Sequence, residues 1–229
     1  MTTFKALESS KEEDQNTLSI IEKNIDNLPD GDILIKVSYS SLNYKDALSA
    51  TGSPGVTKNY PHTPGIDAVG QVQESSDSAF KEGDVVIVTG YDLGMNTAGG
   101  FGQYIRVPAH WVIKLPNGLN EVEAMSLGTA GLTAGLSIQA LEKYSSTTGF
   151  EGSKSIVTGS TGGVGSIAVM LLSKLGSEVT AVTGKNTQKS FLENLGASEV
   201  ISREELSEMT RLPMGKPIWD LGVDVVSGN

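Results

Sequence analysis

Cysteine is absent from the 229 residues, and histidine occurs only at His62 and His110. The first absence excludes disulfides, thiolate zinc sites and a cysteine nucleophile. The second leaves a catalytic zinc, which needs three protein ligands, with a poor starting set. His62 stands between Tyr60-Pro61 and Thr63-Pro64, a proline-rich turn that suits a loop residue better than a ligand. Basic side chains are scarce: 17 Lys and Arg against 27 Asp and Glu give a formal net charge of −10. That balance opposes binding to a phosphate backbone and argues against nucleic acid as a partner. An anionic ligand would have to be met by a local basic pocket. No apolar run approaches the roughly 18 residues of a membrane span, and Met1 to Ser10 has neither the basic start nor the apolar core of a leader. A soluble, cytoplasmic protein without a membrane partner is the expectation.

What is present centres on Ser155 to Lys185. Ile156 and Val157 begin a short apolar strand that runs into Gly159, Gly162, Gly163 and Gly165. Val164, Ile167, Ala168, Leu171, Leu172 and Leu175 then recur at helical spacing on one face, and Gly176 ends the helix. Val179, Ala181 and Val182 form a second strand, which must lie parallel to the first through a right-handed crossover. This is half of a dinucleotide-binding fold. Glycines let the backbone approach a pyrophosphate, and the free N–H groups and dipole of the helix start neutralise its charge. One departure stands out: Ser160 occupies the first glycine position of G-x-G-x-x-G, with Gly162 and Gly165 in the second and third. Without its flanking strands, such a turn would equally suit a tight connection or another nucleotide site.

The end of the second strand selects the cofactor. An NAD site places Asp or Glu about 20 residues beyond the glycines to bind the ribose 2′-OH. Here that place holds Thr183, Gly184 and Lys185, a set that attracts a 2′-phosphate where a carboxylate would repel it. NADPH is therefore expected over NADH, although a single lysine also suits an ordinary solvated turn.

Around this unit the chain reads as two domains, residues 1–120 and 121–229. From Phe4 to about Leu115 short strands at uneven intervals suggest a distorted β-barrel: Ile33, Ile35, Val37 and Tyr39 alternate with polar or opposite-facing residues, and Ile66 to Val72, Val85 to Val88 and Tyr104 to Val107 follow. Asn120 and Glu123 form a capping box opening two helical pieces joined near Gly128. The glycines Gly128, Gly131 and Gly135 suit close helix packing at least as well as a cofactor role. Beyond Lys185, Thr187 caps a helix carrying Phe191, Leu192 and Leu195, closed by Gly196. Glu199 to Ser202 is a third strand, Glu204 to Met209 a helical turn and Val223 to Val226 a fourth strand. The doubly wound fold has six strands, so a truncated chain with an open sheet edge is expected.

SLNYKDAL at Ser41 to Leu48, PGIDAVGQV at Pro64 to Val72, GTAGLTA at Gly128 to Ala134, VTGSTGGVGSIAV at Val157 to Val169 and LGASEVI at Leu195 to Ile201 resemble the medium-chain dehydrogenase/reductase superfamily. Within it they are similar to the zinc-free, quinone-oxidoreductase-like branch and its acryloyl-CoA reductase group. The resemblance implies an α/β protein, a GroES-like β-barrel domain followed by a Rossmann domain lacking its C-terminal strands. It implies Tyr44 near the nicotinamide, Thr161, Gly162, Gly163 and Val164 around the pyrophosphate, and Arg203 joining Thr183, Gly184 and Lys185 at the 2′-phosphate. The implied reaction moves hydride from NADPH to the β-carbon of an α,β-unsaturated carbonyl, with fixed donors holding the developing enolate. Asn43 is the candidate donor, and Tyr44 a donor or a nicotinamide packer; an Asn-Tyr pair also suits plain turn chemistry. Lys45 and Asp46 are read as a solvated helix start. Enone, enoyl thioester and quinone are the expected small-molecule substrates, a homodimer the expected assembly, and an inactive dinucleotide-binding module the rival from another class.

Overall fold

A computed structural model describes residues 2–12, 15–144, 149–211 and 215–227, and the chain divides into two compact units, Met1–Thr129 and Ala130–Asn229. The first unit opens with a hairpin of β1 (Thr3–Glu12) and β2 (Gln15–Asn24) in antiparallel register. β3 (Ile33–Tyr39) leads to helix α1 (Tyr44–Ala50), and then come β4 (Asp67–Ser75), β5 (Val85–Thr89), β6 (Tyr104–Val107) and β7 (Val112–Lys114). These five strands pair antiparallel in the order β6-β3-β4-β5-β7. Register shifts between β3 and β4 at Leu34/Ile35 and Val37/Tyr39 bend the sheet. Bridges from Ala6 to Gly102 and from Ser9 to His62 tie the hairpin to it.

The core of this unit gathers Ile33, Ile35, Ala68, Val72, Val86, Val88, Leu93, Ile105, Val107 and Val112. The alternation expected along β3 is interrupted, because Leu34 is buried along with its neighbours and Tyr39 is exposed. The start of this central strand is covered on both faces, and only its far end meets solvent.

Helix α2 (Glu121–Tyr144) starts at the expected capping box: Asn120 N donates to Glu123 Oε2 and Glu123 N to Asn120 Oδ1, each at 2.9 Å. It breaks at Gly128, whose φ of 49° and ψ of −152° are open only to glycine. The boundary between the units falls just past that break.

In the second unit β8 (Lys154–Val157), α3 (Gly163–Lys174) and β9 (Glu178–Val182) form the anticipated strand–helix–strand. α4 (Lys189–Asn194), β10 (Glu199–Ile201), α5 (Arg203–Met209) and β11 (Leu221–Val223) follow. All pairings are parallel, in the order β10-β9-β8-β11, which is the 3-2-1-4 part of the doubly wound arrangement. The buried side of α3 is Gly165, Ala168, Val169 and Leu172, packed with Val157, Val179, Ala181, Leu192 and Val223. Leu175, expected on that face, is 42% exposed, since it caps the helix before Gly176 turns the chain away.

Thr187 does not cap a helix; it lies within a short 3-10 turn, Asn186–Gln188, and Gln188 precedes α4. The last strand ends at Val223, because the Asp224 carboxylate accepts from the N–H groups of Val226 (3.2 Å) and Ser227 (3.3 Å) and closes a turn.

Candidate cofactor and acceptor sites

The glycine-rich turn is set by contacts that only small residues permit. Gly159 has a left-handed φ of 58°, and its carbonyl accepts from Gly162 N at 2.9 Å. A Cβ on Gly165 would fall 2.4 Å from that same carbonyl oxygen, so the third fingerprint glycine is required by the turn folding back on its own helix. Ser160, the departure from the fingerprint, is fully buried. Its hydroxyl donates to Val157 O (2.7 Å) and accepts from Val182 N (3.0 Å), joining the ends of β8 and β9. Gly162 precedes the helix and Gly163 opens it, both exposed, with Thr161 and Val164 half-buried. The first-turn N–H groups of this 12-residue helix have no intrahelical acceptor and carry the positive end of its dipole. The four residues Thr161 to Val164 thus lie together at a helix start whose free donors can hold an anion.

Beyond β9, Thr183 is buried, its N–H bonded to Ile201 O at 3.1 Å and its hydroxyl accepting from Lys185 N at 3.0 Å. This draws the β9 turn against the end of β10, where α5 begins with Arg203. A Cβ at Gly184 would lie 3.3 Å from Arg203 Nε and 3.5 Å from its Cζ, so the guanidinium lies over the bare glycine. Arg203, distant in sequence, is thereby brought against the consecutive Thr183, Gly184 and Lys185 at Gly184. Among the described residues neither Lys185 nor Arg203 makes an ion pair. A cavity of about 330 Å³ opens at the carboxyl ends of β8, β9 and β11, lined by Thr158, Gly159, Val182, Arg203, Asp224 and Val226 among others. That is where a doubly wound sheet takes its ligand. The close-approach glycines, free helix-start donors and unpaired cations fit a phosphorylated dinucleotide.

The first unit holds Asn43 and Tyr44. Asn43 Nδ2 donates to Asp67 Oδ2 and to Ser41 Oγ, both at 2.9 Å. Both amide hydrogens are thereby committed within the unit, so the donor assigned from sequence to a substrate oxygen here serves Asp67 and Ser41. Tyr44, the first residue of α1, is 81% exposed, and its hydroxyl has no protein partner among the described residues.

The sequence reading missed the acid beneath this turn. Asp67 is fully buried. It accepts from the Ser41 hydroxyl, from Asn43, from Thr129 N (2.9 Å) and from Thr129 Oγ1 (2.7 Å). A Cβ at Gly128 would fall 2.7 Å from its Oδ2, which accounts for the glycine at the helix break. Asp46 is likewise buried, contrary to the solvated helix start expected; it accepts from Asn43 N and Ile66 N, each at 2.8 Å. Burial, aided by the charge of Asp67, pushes its carboxyl above the usual range. The available signal was the pair of acids inside two quoted motifs, at the third positions after Asn43 and Pro64. Among the described residues no three His, Asp or Glu side chains gather as metal ligands, and no helix is long and apolar enough to cross a membrane.

Residues 29–117 match the profile of the alcohol dehydrogenase GroES-like domain. The putative quinone oxidoreductase YhfP of Bacillus subtilis is 43% identical over 99% of this chain and 68% of its own length. Its crystal structure with NAD bound superposes with a TM-score of 0.93. The acrylyl-CoA reductase AcuI of Ruegeria pomeroyi is 40% identical over 98% of the chain and 68% of its own length. The crystal structure of Escherichia coli K-12 YhdH with bound NADPH is 40% identical, covers 97% of this chain, spans 68% as matched on its side and gives a TM-score of 0.90. Sequence identity of this order along nearly the entire chain, joined to a GroES-like unit preceding a parallel dinucleotide sheet, means that the chain belongs to the medium-chain dehydrogenase/reductase superfamily.

Proposed function

We propose that the chain is an NADPH-dependent oxidoreductase acting on an activated α,β-unsaturated carbonyl, with acryloyl-CoA the substrate of first choice. The observation that carries this reading is Arg203 lying over Gly184 beside Lys185, with no carboxylate where an NAD site would present one. Thr161, Gly162, Gly163 and Val164 take the diphosphate, and Thr183, Gly184, Lys185 and Arg203 take the 2′-phosphate. Bound NADPH supplies a hydride. Tyr44 carries the free hydroxyl on the acceptor side, suited to an oxygen that gains charge or to packing on the nicotinamide. Asn43, with both hydrogens held, orients that residue. The relative named acrylyl-CoA reductase supports the enoyl thioester, and the relative named putative quinone oxidoreductase supports a quinone as second reading. A cytoplasmic homodimer completes the proposal, and sedimentation velocity tests the assembly.

Fluorescence titration with NADPH and NADH tests the cofactor, and a preference for NADH overturns it. NADPH oxidation with acryloyl-CoA, simple enones and quinones then separates the two substrate readings. NADPH binding without turnover of any of them would leave a dinucleotide-binding module.

A further inference from the structure

The phosphate-binding turn is braced from both neighbouring strands by two hydroxyls that flank Gly159. On one side the Ser160 hydroxyl reaches β9 through Val182 N at 3.0 Å. On the other, Thr158 reaches the end of β11: its N–H bonds Val223 O at 3.0 Å, its hydroxyl donates to Asp224 Oδ1, and it accepts from Val225 N at 3.0 Å. The Asp224 carboxylate also gathers Val226 N and Ser227 N, and these bonds hold its carboxyl below the usual range. The turn so formed lays Val226 against the glycine, where a Cβ on Gly159 would come within 3.0 Å of Val226 Cγ2.

An acid is a surprising choice beside an anion site. Asp224 lines the same cavity as Arg203, and its charge works against any phosphate nearby. A geometric task accounts for it: one carboxylate oxygen accepts from the Thr158 hydroxyl and from two successive backbone N–H groups, fixing the strand end and the turn together.

We propose that Asp224 is a positioning residue for the dinucleotide, holding the Thr158–Gly159 backbone, through the Thr158 hydroxyl, where the diphosphate meets the start of α3. The inference rests on the dinucleotide reading of that turn.

The test is NADPH titration of the full chain and its variants, paired with amide hydrogen exchange over residues 158–165 and 221–227. Asp224→Ala should weaken NADPH binding about tenfold, the order lost with one charge-assisted hydrogen bond. Asp224→Asn keeps the accepting oxygen and should stay within about threefold of native, a rescue that a role for the charge itself would not give. Thr158→Val should reproduce the alanine loss, and adding Asp224→Ala to it should cost little more. Unchanged exchange in β9 and β10 shows that the fold survives. Native affinity in both Asp224→Ala and Thr158→Val overturns the proposal, as does tighter binding in Asp224→Asn, which would mean that repulsion dominates. If the native chain binds no NADPH, the cofactor reading falls. The brace is then judged on exchange alone, where unchanged rates at Val225 and Val226 in both variants overturn it.

Discussion

Asn43 Nδ2 lies 2.9 Å from Asp67 Oδ2 while Asn43 N lies 2.8 Å from Asp46 Oδ2, so one residue is gripped by two buried acids through its two ends. No cation offsets either carboxylate among the described residues. Their charges are met by hydrogen bonds from Ser41, Asn43, Ile66 and Thr129. The exposed Tyr44 follows directly on this doubly held residue.

Removing that anchor should be costly. Asp67→Ala strands several half-buried donors and should lower the stability of the first unit by about 3 kcal/mol, and Asn43→Ala by about 2 kcal/mol. Urea unfolding followed by fluorescence in a Trp219→Phe background, where Trp111 alone emits, measures both. A loss under about 0.5 kcal/mol for Asp67→Ala would show the network to be incidental.

His62 gives the first unit a dependence on pH. It is 4% exposed, and among the described residues its Nε2 has no hydrogen-bond partner. Burial chiefly, with the charge of Lys23, lowers its pKa from 6.5, against the opposing influence of the Gly94 backbone and Asp92. The folded state therefore holds the proton less tightly than the unfolded chain. Its contribution is complete above 6.5 and is lost as pH falls from there through the lowered value. Asp46, raised, acts in the opposite sense, contributing most below 3.8 and losing that as pH rises through its folded value. Comparing native protein with His62→Leu cancels Asp46. The stability difference between the two should shift in favour of the variant on acidification below 6.5, and parallel pH profiles would refute this.

The glycines of the turn should separate folding from binding. Gly165→Ala forces a Cβ to 2.4 Å from Gly159 O and should cost about 1–3 kcal/mol along with NADPH affinity. Gly162→Ala meets the same oxygen at 3.3 Å. It should keep most of the stability and still lose NADPH binding, as expected of a methyl group on the diphosphate face that the proposed function assigns to this turn. Thermal melts beside titrations distinguish them.

Arg203→Gln should weaken NADPH by about tenfold to a hundredfold and leave NADH nearly unchanged, as expected for a charged bond to the 2′-phosphate. Lys185→Ala should act in the same direction. Equal losses for both cofactors would move these residues away from that phosphate.

Tyr44→Phe should lower kcat for the enone without altering NADPH affinity in the second unit. Unchanged turnover would remove the hydroxyl from the chemistry and leave the ring as packing.

The nucleotide unit was largely legible in the sequence because its signals are local. Strand, turn and helix from Ile156 to Leu172 follow from periodicity and glycine placement, and the Asn120 capping box and the Gly128 break follow from residue types a few positions apart. Asp67 was not legible, since nothing near it in sequence shows that Ser41, Asn43 and Thr129 converge on it. Val225 and Val226 carry the apolar pattern of a strand, and only the Asp224 carboxylate closing on the N–H groups of Val226 and Ser227 ends β11 earlier.

By itself the sequence determined the order of the two units, the glycine-rich turn before α3 and the absence of a carboxylate after β9, because each depends on residues within a few positions of one another. Only the tertiary structure decided that Arg203 would lie over Gly184, that Asn43 would hold buried acid instead of offering a free donor, and that Ser160 and Thr158 would tie one turn to two strands. Those outcomes depend on which chain segments meet when the sheets form, and hydrogen-bond partners drawn from 20 or more residues away leave no pattern in the linear order.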